Sequence, residues 1–207
     1  MYSCANCKVH GCKDQDYKKM PENCPSRDKE FQEENKVLYL QEENYKLAHS
    51  SALVESEGYC ELTRVEEIME FAKKNNFKKI GLAFCIGLRK EAEIFGKILE
   101  NRGFEVCSII CKNGAVPKEF IGISDCEKVR PGTKEVICNP IGQARLLNEM
   151  KTELNVILGL CVGHDSLFIK YSGAPATVLA VKDRVTGHNP LAPLYTADTY
   201  YKKKLYK

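Results

Sequence analysis

Apolar residues recur with a helical period in the first third of this chain and in short strand-like runs after it. Between Glu33 and Glu55, the residues Val37, Leu38, Leu40, Tyr45, Leu47, Ala48, Ala52 and Leu53 fall at roughly helical spacing. They predict one long helix or two shorter ones, broken at Gly58. Thr63 and Glu66 have the spacing of a capping box, so an amphipathic helix bearing Val65, Ile68, Met69, Phe71 and Ala72 should open there and end near Asn75-Asn76.

From Lys79 the pattern becomes alternating units. A strand, Ile80–Phe84, precedes a helix over Leu88–Asn101 that Gly103 closes, and a second strand covers Phe104–Ile110. Residues 112–133 form a long irregular connection. A third strand, Glu135–Ile137, runs into Asn139-Pro140, a cap and first turn for a helix to Lys151. A fourth strand, Val156–Leu160, feeds a helix over His164–Tyr171, and a fifth covers Thr177–Val181. This alternation predicts an α/β fold: a doubly wound, Rossmann-like parallel sheet of about five strands in the order 2-1-3-4-5. Its switch point would lie between the strands ending at Cys85 and Cys138. Three parts are expected: a Cys-rich metal-binding segment at 1–26, a helical region at 27–76 and the α/β domain at 77–207.

A chain of 207 residues with 43% hydrophobic content can bury a proper core. Its formal net charge of +3 calls for neither a nucleic-acid nor a membrane partner. The Lys202-Lys203-Lys204 run reads as a solvated chain end. The start Met1-Tyr2-Ser3-Cys4 has no apolar signal region and no run approaches a membrane span, so a cytoplasmic location is expected. Eleven cysteines in a reducing compartment argue against structural disulfides, and an odd number leaves at least one thiol unpaired in the monomer. Metal ligation or thiol reactivity is the economical explanation.

Cys4, Cys7, Cys12 and Cys24 are spaced C-x2-C-x4-C-x11-C, followed by Pro25. Two sulfurs of a Cys-x-x-Cys turn reach one ion and two later sulfurs complete a tetrahedron. One metal centre is expected here, zinc or a [4Fe-4S] cluster, with His10 able to replace a thiol. The competing description is an unliganded, Cys-rich tail.

Four of the five strand-like runs end on a cysteine: Cys85, Cys111, Cys138 and Cys161. In a parallel sheet these four ends share the edge where ligands bind. Helix N-termini follow Cys85, Cys138 and Cys161 and favour their thiolates, while Lys112 follows Cys111. Cys126 in the long connection could fold over the site, and His164 could act as acid, base or ligand. A second metal centre could also form on the strand-end thiols. For a single cysteine, inert packing is the ordinary state, and Cys107 is assigned to it; Cys60 has no assigned partner. Asp165 could merely cap its helix, Lys182, Asp183 and Arg184 could bind an anion or be salt-bridged, and His188 sits in a turn-forming stretch. The first strand–helix turn, Cys85-Ile86-Gly87-Leu88, lacks the glycines of a dinucleotide fingerprint, and the chain has no phosphate-binding G-x-x-x-x-G-K-[ST] loop.

Five stretches resemble an uncharacterised prokaryotic family labelled "metal-binding protein" (domain-of-unknown-function family 1847). They are Phe84-Cys85-Ile86-Gly87-Leu88, Cys138-Asn139-Pro140-Ile141, the run from Gly159 to Phe168, Val181-Lys182-Asp183-Arg184-Val185 and His188-Asn189-Pro190. Cys4, Cys7, Cys12 and Cys24 fit the same family. The resemblance implies metal binding and carries no activity. The expectation is therefore a cysteine-ligated metalloprotein with a thiol-lined site (Cys85, Cys111, Cys138, Cys161, His164 and Lys112) for redox or sulfur-transfer chemistry on a small substrate. The rival is a non-catalytic metal carrier, sensor or zinc-stapled binding module.

Overall fold

Leu40 and Gln41 divide the long helical period into two helices, α1 (Lys29–Tyr39) and α2 (Glu42–Gly58). Asp28 opens α1 by accepting the Phe31 N–H at 3.1 Å. The computed structural model, which describes residues 2–206, divides the chain into two compact units, one ending at Tyr59 and one beginning at Cys60. In the first, the Arg27 guanidinium donates to the carbonyls of Tyr17, Met20 and Pro21. These bonds fold the polar amino-terminal loop around the buried Met20.

The second unit opens with α3 (Arg64–Lys74), whose capping box forms as predicted. Glu66 Oε2 accepts the Thr63 N–H at 2.8 Å and Thr63 Oγ1 accepts the Glu66 N–H at 3.4 Å, so two orphan donors are satisfied. Four parallel strands follow: β1 (Lys79–Phe84), β2 (Glu105–Ile110), β3 (Leu154–Leu160) and β4 (Ala176–Val181), in the order β2-β1-β3-β4. Between them run α4 (Arg89–Asn101), α5 (Pro140–Glu149) and α6 (His164–Tyr171).

The sheet has four strands, not about five. The segment predicted as the third strand, Glu135–Ile137, makes only an isolated antiparallel bridge between Val136 and Pro117. Two residues of β propensity, Val136 and Ile137, separated only by Cys138 from the cap Asn139 and Pro140, are too few to build a ladder. The switch point therefore lies between β1 and β3, and the Cys138 segment stands outside the sheet, against the end of β2.

Alternation along the central strands sorts the core into two layers. Ile80, Leu82, Val156 and Leu158 pack with Ile68, Met69 and Ala72 of α3 and with Ala92, Phe95 and Leu99 of α4. Ala83, Ile157 and Leu160 pack with Ala144 and Leu147 of α5 and Phe168 of α6. Each large side chain so buried contributes about 1.5–3 kcal/mol. Central β3 is buried at every position. Its one polar residue, Asn155, is satisfied: Oδ1 accepts from Thr152 Oγ1 at 2.7 Å and Nδ2 donates to Ser172 Oγ at 2.8 Å. Gly81 on β1 supplies the room, because a Cβ there would collide with Asn155 Oδ1.

The long connection is held by charge. Lys118 pairs with Glu135 at 2.5 Å, and the nearly buried Lys128 ammonium meets Glu119 at 2.7 Å and Asp125 at 3.0 Å. Among the described residues no helix is long and apolar enough to cross a membrane.

Candidate active site at the sheet rim

The parallel ladder continues one step past the last residues of β1 and β2. Cys111 N–H donates to the Phe84 carbonyl at 2.8 Å, and Cys85 N–H to the Leu158 carbonyl at 3.1 Å. The register that pairs Phe84 with Ile110 thus sets Cys85 beside Cys111. Both are buried, at 6% and 1% exposure, and Cys111 Sγ accepts the Ile86 N–H at 3.3 Å.

Cys138 arrives from outside the sheet. Its successor, Asn139, donates its N–H to the Cys111 carbonyl at 2.7 Å, and Ile137 N–H donates to Val116 O at 2.8 Å. Lys112 Nζ secures the same segment on the Val136 carbonyl at 2.7 Å. Asn139 also caps α5, accepting the Gly142 N–H at 2.9 Å, while its Nδ2 donates to Asn113 Oδ1 at 3.2 Å. Cys161 follows β3, and its carbonyl accepts the N–H groups of His164 and Asp165 at 2.9 and 3.2 Å, which opens α6. The rim therefore reads Cys138, Cys111, Cys85, Cys161, with the inner pair forming the floor and the outer pair half-buried at the surface.

Cys111 lies between Cys138 on one side and Cys85 on the other, near enough for its thiol to act on the ionisation of both. Hydrogen bonding from Cys111 and then from His164 lowers the Cys138 thiol to about 4, helped by the Lys112 charge. Hydrogen bonding from Cys111, the Gly87 N–H and the Lys182 ammonium lower Cys85 to about 5, against the opposing effect of burial. The two neighbouring sulfurs push Cys111 itself up, Cys138 most, so it remains the proton holder. Cys111 has one S–H to give, so it serves only one neighbour at a time. His164 is raised, chiefly by its contact with Cys138, and the pair is poised as thiolate and imidazolium.

Lys182 lies beside Cys85, as the small residues around it allow: a Cβ on Gly87 would come within 3.3 Å of Lys182 Nζ and 3.9 Å of Cys85 Sγ. Arg184 Nη2 donates to Cys161 Sγ at 3.3 Å, and its charge also reaches Cys85 and Cys138.

Of the residues expected at the site, Cys85, Cys111, Cys138, His164 and Lys112 come together, and Cys161 is joined to them through Arg184. Cys126 does not join them; it is exposed, with Sγ 3.3 Å from Ser124 Oγ. His188 is structural, its Nδ1 accepting the Asp183 N–H at 3.1 Å. Sequence reasoning missed Gln143. Fully buried, it donates through Nε2 to the carbonyls of Phe84 and Ile109 at 3.2 and 2.7 Å, tying together the strand ends below Cys85 and Cys111. The available signal was a polar residue on the same α5 face as Ala144 and Leu147.

Cys4 and Cys12 are exposed, and Cys7 and Cys24 half-buried. The Cys7 thiol is lowered by the N–H groups of His10 and Val9. Among the described residues, no three or more His, Cys, Asp or Glu side chains are grouped to hold a metal ion, at the amino-terminal quartet or at the rim. As arranged, neither set fits a tetrahedral centre.

A family model described as "Protein of unknown function (DUF1847)" matches residues 24–179. The chain belongs to this family. Uncharacterized protein MJ0455 of Methanocaldococcus jannaschii is 52% identical to it over 167 residues, covering 81% of this chain and 83% of that protein. No solved structure matches. The DUF1847 stretch holds Cys24, Cys85, Cys111, Cys138, Cys161 and His164; Cys4, Cys7, Cys12, Lys182 and Arg184 lie outside it.

Proposed function

We propose that the rim is the centre of a thiol-dependent redox or sulfur-transfer reaction on a small sulfur-containing substrate, with Cys138 as nucleophile and Cys111 as resolving thiol. The observation that carries this reading is the convergence of four segments at one rim: Cys111 N–H bonds the Phe84 carbonyl beside Cys85, Asn139 N–H bonds the Cys111 carbonyl and brings in Cys138, and His164 opens α6 on the Cys161 carbonyl. With a disulfide substrate, the Cys138 thiolate attacks one sulfur. The substrate S–S bond breaks, a mixed disulfide forms on Cys138, and the other half leaves as a thiolate that takes the His164 proton. Cys111 then passes its proton to the neighbouring Cys85 thiolate and attacks Cys138 Sγ. A Cys111–Cys138 disulfide forms and the second half departs as thiolate, so the two cysteines lose two electrons to the substrate. An external small dithiol returns them. On a persulfide, the same attack leaves the terminal sulfur on Cys138 and releases a thiolate.

The test uses hydroxyethyl disulfide as substrate with dithiothreitol as reductant. Turnover that Cys138→Ser abolishes, with a Cys111–Cys138 disulfide mapped by mass spectrometry after oxidation, supports the reading. Unchanged turnover in Cys138→Ser defeats it.

The amino-terminal quartet supports a separate proposal, a metal centre on Cys4, Cys7, Cys12 and Cys24. In its favour, backbone N–H groups already favour the Cys7 thiolate, the protonation state a metal needs. An ion would have to draw the other three sulfurs in. Zinc or an iron–sulfur cluster would add a cross-link to a polar loop held by the Arg27 guanidinium and a few further hydrogen bonds.

A further inference from the structure

We propose that the substrate of this site is an anion, a small sulfur compound carrying a carboxylate, sulfonate or similar group, and that Arg184, with Lys182 behind it, is its recognition element. The inference rests on the thiol reading of the rim and names what that reading leaves open.

Three cations, Lys112, Lys182 and Arg184, border the sulfurs, and they are not equivalent. Lys112 is committed to the Val136 carbonyl at 2.7 Å and holds the Cys138 segment in place. Arg184 is exposed and bonded to Cys161 Sγ at 3.3 Å, and among the described residues neither it nor Lys182 is ion-paired with a carboxylate. The one carboxylate between them is turned away: Asp183 Oδ1 accepts the N–H groups of Val185 and Thr186 at 2.8 and 3.0 Å. The other acid at the rim, Asp165, directs Oδ1 to the Ser166 N–H at 2.8 Å. The turn thus spends its acid on its own backbone and leaves its two bases facing the thiols.

Glycine preserves their space. A Cβ at Gly87 or Gly159 would come within 3.3 or 3.6 Å of Lys182 Nζ. A planar guanidinium matches a carboxylate or sulfonate with two parallel N–H bonds, and a half-open rim leaves that fork accessible. An anionic group seated on Arg184 would sit at the Cys161 end of the rim, where the guanidinium charge also acts on Cys85 and Cys138 and draws an anionic sulfur compound toward the thiols.

Alkylation of Cys138 with two reagents of similar size, one anionic and one neutral, tests this directly. Iodoacetate is an anion and iodoacetamide is neutral; both attack the same thiolate, so the ratio of their rates cancels any change in thiolate population. Site-resolved mass spectrometry of the full chain should show the iodoacetate/iodoacetamide ratio at Cys138 falling about fivefold in Arg184→Gln, as an exposed ion pair implies. The ratio should be largely restored in Arg184→Lys, and should shrink with added salt in the wild type. A ratio that is the same in wild type and Arg184→Gln overturns the proposal. If wild-type Cys138 reacts with iodoacetamide no faster than free cysteine, the thiol reading fails on its own, while the ratio still decides whether the rim selects anions.

Discussion

Asn139 donates its backbone N–H to the carbonyl of Cys111 across 2.7 Å, and this bond sets the Cys138 thiol beside the buried Cys111 thiol. One asparagine thereby starts α5 with its side chain and completes the rim with its main chain. The charge and reactivity of the outer thiol follow from where that bond holds it.

Alkylation of Cys138 by iodoacetamide should have its pH midpoint far to the acid side of an ordinary thiol. Reactivity follows the thiolate fraction, which rises with pH, so a thiol lowered to about 4 is already ionised at pH 6. A thiol of pKa about 8.5 is then only about 0.3% ionised. His164→Leu removes a donor and a cation from the thiolate, so the midpoint should rise by about one unit or more. A pH–rate profile for each protein checks this.

Cys111→Ser should trap chemistry part-way. With the resolving thiol gone, hydroxyethyl disulfide should leave a stable mixed disulfide on Cys138, visible by intact mass, whereas the wild type passes on to an internal disulfide. In Cys111→Ala, which leaves no donor in that place, the alkylation midpoints of Cys138 and Cys85 should both rise.

Asn139→Ala should lower stability by about 1 kcal/mol through the lost helix cap. It should also slow Cys138 alkylation at fixed pH, because the link to Asn113 that steadies the segment is lost. Urea unfolding and the alkylation rate measured together separate the two effects.

Gly81→Ala is the scaffold control. Its Cβ would strike the buried Asn155 carboxamide and come within 2.9 Å of Leu147 Cδ1, so a loss of about 2 kcal/mol or more is expected. The pH midpoint of Cys138 in the folded protein should not move.

At the amino terminus, cobalt(II) titration should give sulfur-to-metal charge-transfer absorption in the wild type and none in a Cys4→Ser, Cys7→Ser double variant. The thermal unfolding of the unit beginning at Cys60 should be unaffected by that change.

Much of the fold was legible because its signals are local. Thr63 and Glu66 carry their capping box in four residues, and Asn139-Pro140 announces the start of α5. Helix α6 spans the predicted His164–Tyr171. The error at Glu135–Ile137 arose because pairing is not local: the place beside β1 is taken by β3, and nothing in three residues reveals that. The rim cysteines were visible through their shared position after strand-like runs, although the run before Cys138 builds no strand, and their order along the edge depended on that same pairing. Gln143 and the turn of Lys182 and Arg184 toward the thiols were out of reach for another reason. A glutamine's carbonyl partners, and the Asp183 side chain's choice of backbone over base, exist only once the segments have met.

The failed strand leaves a mechanical asymmetry in the molecule. Cys85 and Cys111 are anchored by ladder bonds and by the Gln143 clamp, but Cys138 rides on a short connector joined to its surroundings by a handful of bonds. A change confined to that connector therefore displaces the outer sulfur while the ladder keeps the inner two in place.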